Sequence, residues 1–120
     1  MPIDDALEAL RFDRQFMANV AAWERLPARP ARYADFPSAL DPRMIRALRA
    51  LEIALLYTHQ AEAIEAALNG ENVVVVTGTA SGKTLCYNLP VVQALLADPE
   101  ARALYLFPTK ALAQDQAAAL

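Results

Sequence analysis

Four consecutive valines, Val73 to Val76, run directly into Thr77-Gly78-Thr79-Ala80-Ser81-Gly82-Lys83-Thr84, and a helical pattern follows to about Leu96. An apolar run without polar alternation reads as a strand covered on both faces, which is the habit of parallel sheets. Small residues at 78, 80, 81 and 82 let the backbone curl so that successive amides point inward, and the next helix adds its unpaired N–H groups and positive dipole end. Strand, glycine loop and helix in this order form a binding site for phosphate oxygens.

Each residue of the loop then has an expected part. Lys83 reaches the β and γ phosphates of a nucleotide and offsets charge that grows during phosphoryl transfer, while the Thr84 hydroxyl ligates Mg²⁺. Thr77, Gly78, Thr79, Ala80, Ser81 and Gly82 supply the cradle, with Ser81 serving loop packing or a local hydrogen bond. The implied cofactors are ATP and Mg²⁺. The usual pattern has glycine five positions before Gly82, where this chain has Thr77, a departure from the motif that leaves the geometry available.

A second apolar segment, Ala103 to Phe107, follows the Asp98-Pro99 turn and leads through Pro108-Thr109 into a helix to Leu120. Strand, helix, strand, helix with short connections predicts a right-handed crossover and an α/β fold with neighbouring or near-neighbouring parallel strands. The carboxyl ends of both strands then share one sheet edge, where ligands bind in open α/β folds. Pro108, Thr109 and Lys110 sit on that edge. Thr109 and the first helical amides can hold a nucleic-acid phosphate with help from Lys110, or Thr109 is simply the helix N-cap.

Upstream, Leu7, Leu10, Phe12, Phe16 and Val20 predict one amphipathic helix or two short ones over Asp4 to Val20, ended by Leu26-Pro27-Ala28-Arg29-Pro30. Asp41-Pro42 opens a helix to about Ala54 that displays Ile45, Leu48 and Leu51 or Leu55 on one side. Thr58 caps a short helix over Ala61 to Leu68, closed by Asn69-Gly70. Gln60 opens that helix. Its amide can donate to and accept from one edge of adenine, or it is an ordinary helix-surface residue. Tyr57 and His59 either flank a base or, for Tyr57, pack on the sheet. Glu62 and Glu65 read as solvent-facing.

Composition narrows the classes. A hydrophobic content of 56% argues against general disorder. Apolar runs such as Val73–Val76 and Ala103–Phe107 fall far short of the roughly 20 residues that cross a bilayer. Asp4, Asp5 and Glu8 stand where a positive leader would be expected, so the expectation is a cytoplasmic chain without membrane association. Cys86 and His59 are the sole cysteine and histidine, which excludes a disulfide framework and a closed Cys/His zinc site. The net charge of −3 does not advertise nucleic-acid binding, yet positions 25 to 49 carry a local +4 from arginines. Those arginines read as a solvated face or a basic patch.

The combined pattern resembles a superfamily 2 helicase of the DEAD/DEAH-like type. The matching pieces are Tyr57-Thr58-His59-Gln60, the loop from Thr77 to Thr84, and Pro108-Thr109-Lys110-Ala111-Leu112-Ala113-Gln114-Asp115-Gln116. In family terms these look like the adenine-reading glutamine, motif I and motif Ia. Within the family the missing glycine at Thr77 is ordinary, Thr79 matches directly, and Ala80 stands where glycine is frequent. The wording from Thr79 to Pro90 looks closest to bacterial and fungal DNA-repair helicases that carry a zinc-binding carboxyl-terminal domain. The resemblance implies a leader over 1–40 and a partial RecA-like ATP-binding motor domain over 41–120. It also implies 3′ to 5′ translocation, DNA favoured over RNA, and partnership with the remaining helicase domains of a longer chain. The stretch contains no Asp-Glu pair after a third strand and no second motor domain, so by itself it is expected to be inactive. Another P-loop NTPase such as a small-molecule kinase, or a degenerate nucleotide-binding module, are the competing readings.

Overall fold

The computed structural model describes residues 2–119. They fall into two compact units, one ending at Pro30 and one beginning at Ala31. The first unit holds α1 (Ile3–Phe12) and α2 (Arg14–Met17), the two-helix form of the expected amphipathic segment. Asp13 separates them: its carboxylate accepts from the amides of Gln15 at 2.8 Å and Phe16 at 2.9 Å and so caps α2. Neither helix contains a fully buried residue. Arg11 lies over the Trp23 ring at 5.8 Å, and Arg25 pairs with Asp4 at 3.2 Å.

The second unit begins at Ala31, and residues before 41 belong to its core. Tyr33–Ala34 (β1) pairs antiparallel with Leu56–Tyr57 (β2), and Leu40 is 3% exposed. The helix α3 (Pro42–Ala50) is capped by Asp41, whose carboxylate accepts from the Arg43 amide. The Arg43 side chain, bonded to the same carboxylate, holds Asp41 down at about 2.

This helix stops before the expected Ala54. Glu52 adopts φ +63°, and the amides of Glu52 and Ile53 turn back to the carbonyls of Arg49 and Leu48, a Schellman ending that usually falls to glycine. The early stop leaves Leu51 71% and Leu55 45% exposed, and the core face consists of Met44 and Leu48 with Ile45 packed beside them.

The central packing is between α4 (Thr58–Leu68) and α5 (Lys83–Ala97). Leu56, Ile64 and Leu89 from β2, α4 and α5 join Leu40, Met44, Leu48 and Ala61 in one cluster. Burying each Leu or Ile there contributes roughly 1.5–3 kcal/mol. Gln93 of α5 ties on the amino end of α3: its Oε1 accepts from the Asp41 amide and its Nε2 donates to the Ala39 carbonyl, both at 2.8 Å. The helix α5 runs on through Pro90. As expected, Gly70 closes α4 at φ +81°, and Asp98 closes the following turn by accepting from the Glu100 amide. The helix α6 (Lys110–Ala119) ends the described chain; Leu120, to which a helix was expected, lies outside it.

The expected parallel strands differ most from what is found. Among the described residues the only sheet is the β1–β2 pair; Val73–Val76 and Ala103–Phe107 make no ladder, and no backbone–backbone bond involves them. Both nonetheless alternate as strands do. Val75, Tyr105 and Phe107 are half-buried, whereas Val74, Val76, Leu104 and Leu106 are 83–88% exposed. One face of each segment is covered, not both, because the described residues supply no third strand between or beside them and no layer for the second face. Tyr105 anchors the inner face by donating to Asn88 at 3.1 Å and meeting Tyr87 edge-on.

Candidate phosphate-binding site

The loop from Thr77 to Gly82 joins the valine segment to α5, and its shape follows from two left-handed residues. Gly82, at φ +70°, is the N-cap of α5, and Ala80 sits at φ +56°. Only glycine adopts that region without a steric cost. At Gly82 an added Cβ would also stand 2.5 Å from the Gln60 Nε2, so the Gln60 amide would have to shift from its place against the Gly82 carbonyl. Ala80 carries the strain. Replacing it with glycine removes a left-handed cost of roughly 1–2 kcal/mol against a smaller entropic loss. Ala80→Gly is therefore expected to raise the thermal midpoint by a few degrees, measured by circular dichroism.

Lys83 is the first residue of α5, and its side chain folds back over the loop. Its Nζ lies 2.6 Å from the Gly78 carbonyl oxygen, 3.0 Å from that of Thr77, 3.2 Å from Ser81 Oγ and 3.3 Å from Thr77 Oγ1. Thr77 and Ser81 hydroxyls are themselves joined at 2.6 Å, the local bond expected of Ser81. The threonine in place of glycine at 77 thus serves the loop through both its carbonyl and its hydroxyl. Among the described residues Lys83 forms no salt bridge. Its ammonium is therefore uncompensated by any carboxylate and is held only by neutral oxygens that an anion can replace. The Thr84 hydroxyl is half-buried and enters none of the side-chain hydrogen bonds of the described residues, so its oxygen remains available as a ligand. Thr79 and Gly78 are exposed on the loop's outer turn.

Gln60 is not the ordinary helix-surface residue that is one of its two expected readings. It is 3% exposed, with Oε1 accepting from the Tyr57 amide at 2.9 Å and Nε2 donating to the Gly82 carbonyl at 2.8 Å. It therefore caps α4 and fastens it to the phosphate loop. Reading a base as well requires the second donor and second lone pair of the same amide. His59 lies beside it, its Nε2 2.8 Å from the Ser81 carbonyl, a contact that sequence spacing gave no means to anticipate. Tyr57 stacks between Tyr33 and His59 rather than standing free to flank a base. Cys86, one turn into α5, is buried, and burial pushes its thiol up.

Pro108, Thr109 and Lys110 are exposed at the start of α6. Thr109 is the helix N-cap: its Oγ1 accepts from the Leu112 amide at 3.2 Å and its carbonyl from the Ala113 amide at 3.1 Å. Capping uses one lone pair of the hydroxyl and leaves the first helical amides open. Glu62 and Glu65 are exposed, on the solvent side of α4. No helix among the described residues is long and apolar enough to cross a membrane.

A lysine at the first position of a helix, behind a left-handed glycine and a curled loop that receives its ammonium, defines the P-loop nucleotide-binding class. A family profile described as DEAD/DEAH box helicase matches residues 57–120, and the chain belongs to that family. It is 50% identical over 111 residues to the uncharacterized ATP-dependent helicase YprA of Bacillus subtilis, covering 92% of this chain and 15% of that protein. It is 39% identical over 114 residues to the ATP-dependent helicase HRQ1 of Saccharomyces cerevisiae, covering 95% of this chain and 10% of the relative. The crystal structure of the DUF1998 helicase MrfA bound to DNA and AMPPNP superposes with a TM-score of 0.84 at 46% identity, over 97% of this chain and 16% of that one. The fold is accordingly that of a helicase motor domain, RecA-like and α/β, of which this chain spans a part.

Proposed function

We propose that this chain is the ATP-binding amino-terminal portion of an ATP-dependent DNA helicase or translocase that moves 3′ to 5′.

 That polarity is the expectation inherited from the helicases the chain resembles. The observation that carries the proposal is the disposition of Lys83, whose ammonium sits over the Thr77–Ser81 loop on neutral oxygens alone. A polyphosphate entering there replaces loop carbonyls with charged oxygens, to which hydrogen bonds are roughly twice as strong.

In this reading the loop from Thr77 to Gly82 cradles the phosphates, Lys83 holds the β and γ groups, and Gln60 reads adenine with the free half of its amide. Thr84 offers Mg²⁺ one hydroxyl oxygen, which suits a hard cation that keeps most of its ligands as phosphate and water. Held by Thr84, such an ion would supply charge neutralisation to the phosphates. Pro108, Thr109 and Lys110 take a phosphate of the tracking strand at the open amino end of α6. Lys83 and Thr84 are the groups assigned to phosphoryl transfer, and the stretch by itself binds nucleotide without useful turnover. The proposal further assigns the chain to the cytoplasm and the rest of the motor to other segments of a longer polypeptide.

The test is ATP hydrolysis by the full-length protein with and without single-stranded DNA. Stimulation of about tenfold or more by DNA, exceeding that by RNA of equal length, is the expected result. Hydrolysis indifferent to nucleic acid but dependent on a small acceptor would instead favour a kinase-like NTPase.

A further inference from the structure

Two consecutive carbonyls of the phosphate loop, those of Ser81 and Gly82, are turned toward the first turn of α4. There they meet two consecutive side chains: His59 Nε2 at 2.8 Å and Gln60 Nε2 at 2.8 Å. A carbonyl oxygen only accepts, so the His59 Nε2 carries the hydrogen in this contact. Because a trans peptide is planar, with C=O and N–H pointing opposite ways, fixing the Ser81 oxygen turns the Gly82 amide away from α4. Fixing the Gly82 oxygen does the same for the Lys83 amide. Neither amide has a backbone partner among the described residues, as expected of donors at a helix start.

The imidazole is itself held in plane. It stacks on Tyr57 at 5.7 Å with 9° between the rings, and Tyr57 stacks on Tyr33 at 5.3 Å. The two tyrosines are cross-strand partners in the β1–β2 pair. The ladder therefore sets the ring, the ring sets the Ser81 carbonyl, and the carbonyl sets the direction of an amide at the mouth of the loop.

We propose that His59 is a positioning residue of the phosphate loop, aiming the Gly82 amide at a bound polyphosphate through its Nε2–H bond to the Ser81 carbonyl. The inference rests on the loop being a nucleotide site and adds a residue to it that touches no nucleotide.

Two variants separate the donor from the ring. His59→Phe keeps the stack on Tyr57 and loses the N–H; His59→Gln loses the ring and offers an amide N–H at about the same reach. Affinity of the full-length protein for Mg²⁺·AMPPNP is measured by calorimetry, with the thermal midpoint as a check on folding. His59→Phe is expected to weaken binding roughly tenfold, the loss of about one well-placed hydrogen bond, and His59→Gln to stay within about threefold of the unmodified protein. Should the phenylalanine variant not fold, His59→Ala takes its place as the form without a donor. Unchanged affinity in the donor-free variant, or a glutamine variant as weak as it, overturns the role of His59 alone. Absence of binding by the unmodified protein overturns the nucleotide site as well.

Discussion

Lys83→Ala is expected to weaken binding of an ATP analogue by ~100-fold or more while leaving the fold in place. The ammonium contributes charge-assisted bonds to phosphate oxygens worth roughly 1.5–3 kcal/mol each, and one such bond of 2.8 kcal/mol is about a hundredfold in affinity. In the free protein the same ammonium meets only carbonyl and hydroxyl oxygens of Thr77, Gly78 and Ser81. The Gly78 contact is exposed and the Thr77 and Ser81 contacts are only half-buried, so water can reach these oxygens once the ammonium is removed. Calorimetric titration of the variant and the unmodified protein, alongside their thermal midpoints, measures both halves. A variant that keeps its affinity would remove Lys83 from the site.

Ile64→Ala is expected to have the largest effect on stability. Ile64 and Leu56 are both 0% exposed, and they lie in the cluster that joins α3, β2, α4 and α5. Truncating such a residue costs roughly 2–5 kcal/mol in transfer and cavity terms. That is a large share of the roughly 5–15 kcal/mol that stabilises a typical domain. The core here is small, and four large side chains of the valine and 103–107 segments contribute little because they lie 83–88% exposed. The thermal midpoint of Ile64→Ala should therefore fall by more than about 10 °C, whereas Ile64→Val, at roughly 0.5–1.5 kcal/mol, should remain folded. Equal midpoints for the alanine variant and the unmodified chain would show that this cluster does not hold the fold.

The loop was legible in the sequence because its chemistry leaves few alternatives. Gly82 must take a left-handed φ and leave room for Gln60, and Lys83 must begin the helix behind it, so residue types alone locate the site. The helices were legible where a local signal exists, as at Asp41-Pro42, Asn69-Gly70 and Asp98-Pro99. Where a residue acts against its preference the signal vanishes: Glu52 ends α3 in a conformation that glycine favours, so the helix was expected to run to Ala54. The sheet was the least legible part. Strand character is written locally in Val73–Val76 and Ala103–Phe107, but ladder partners are a property of distant segments, and no partner strand is present among the described residues.

The site's inner fastenings were hidden for a similar reason. His59 and Gln60 each stand 22 residues before the carbonyl they hold, and no periodicity links a helix start to a carbonyl that far away. Gln93, which joins α5 to the start of α3, is separated from its partners by more than 50 residues. Each is a polar side chain buried or half-buried in use, a state that the sequence does not distinguish from solvent exposure.

The central claim is that the amides from Gly78 to Thr84 face one cavity and close on a polyphosphate. The direct measurement is the set of backbone amide chemical shifts in isotope-labelled protein as Mg²⁺·AMPPNP is added. The account predicts the largest displacements at Gly82, Lys83 and Thr84, with smaller ones along Gly78 to Ser81. Saturable binding that leaves those loop amides unmoved while shifting residues elsewhere would contradict it.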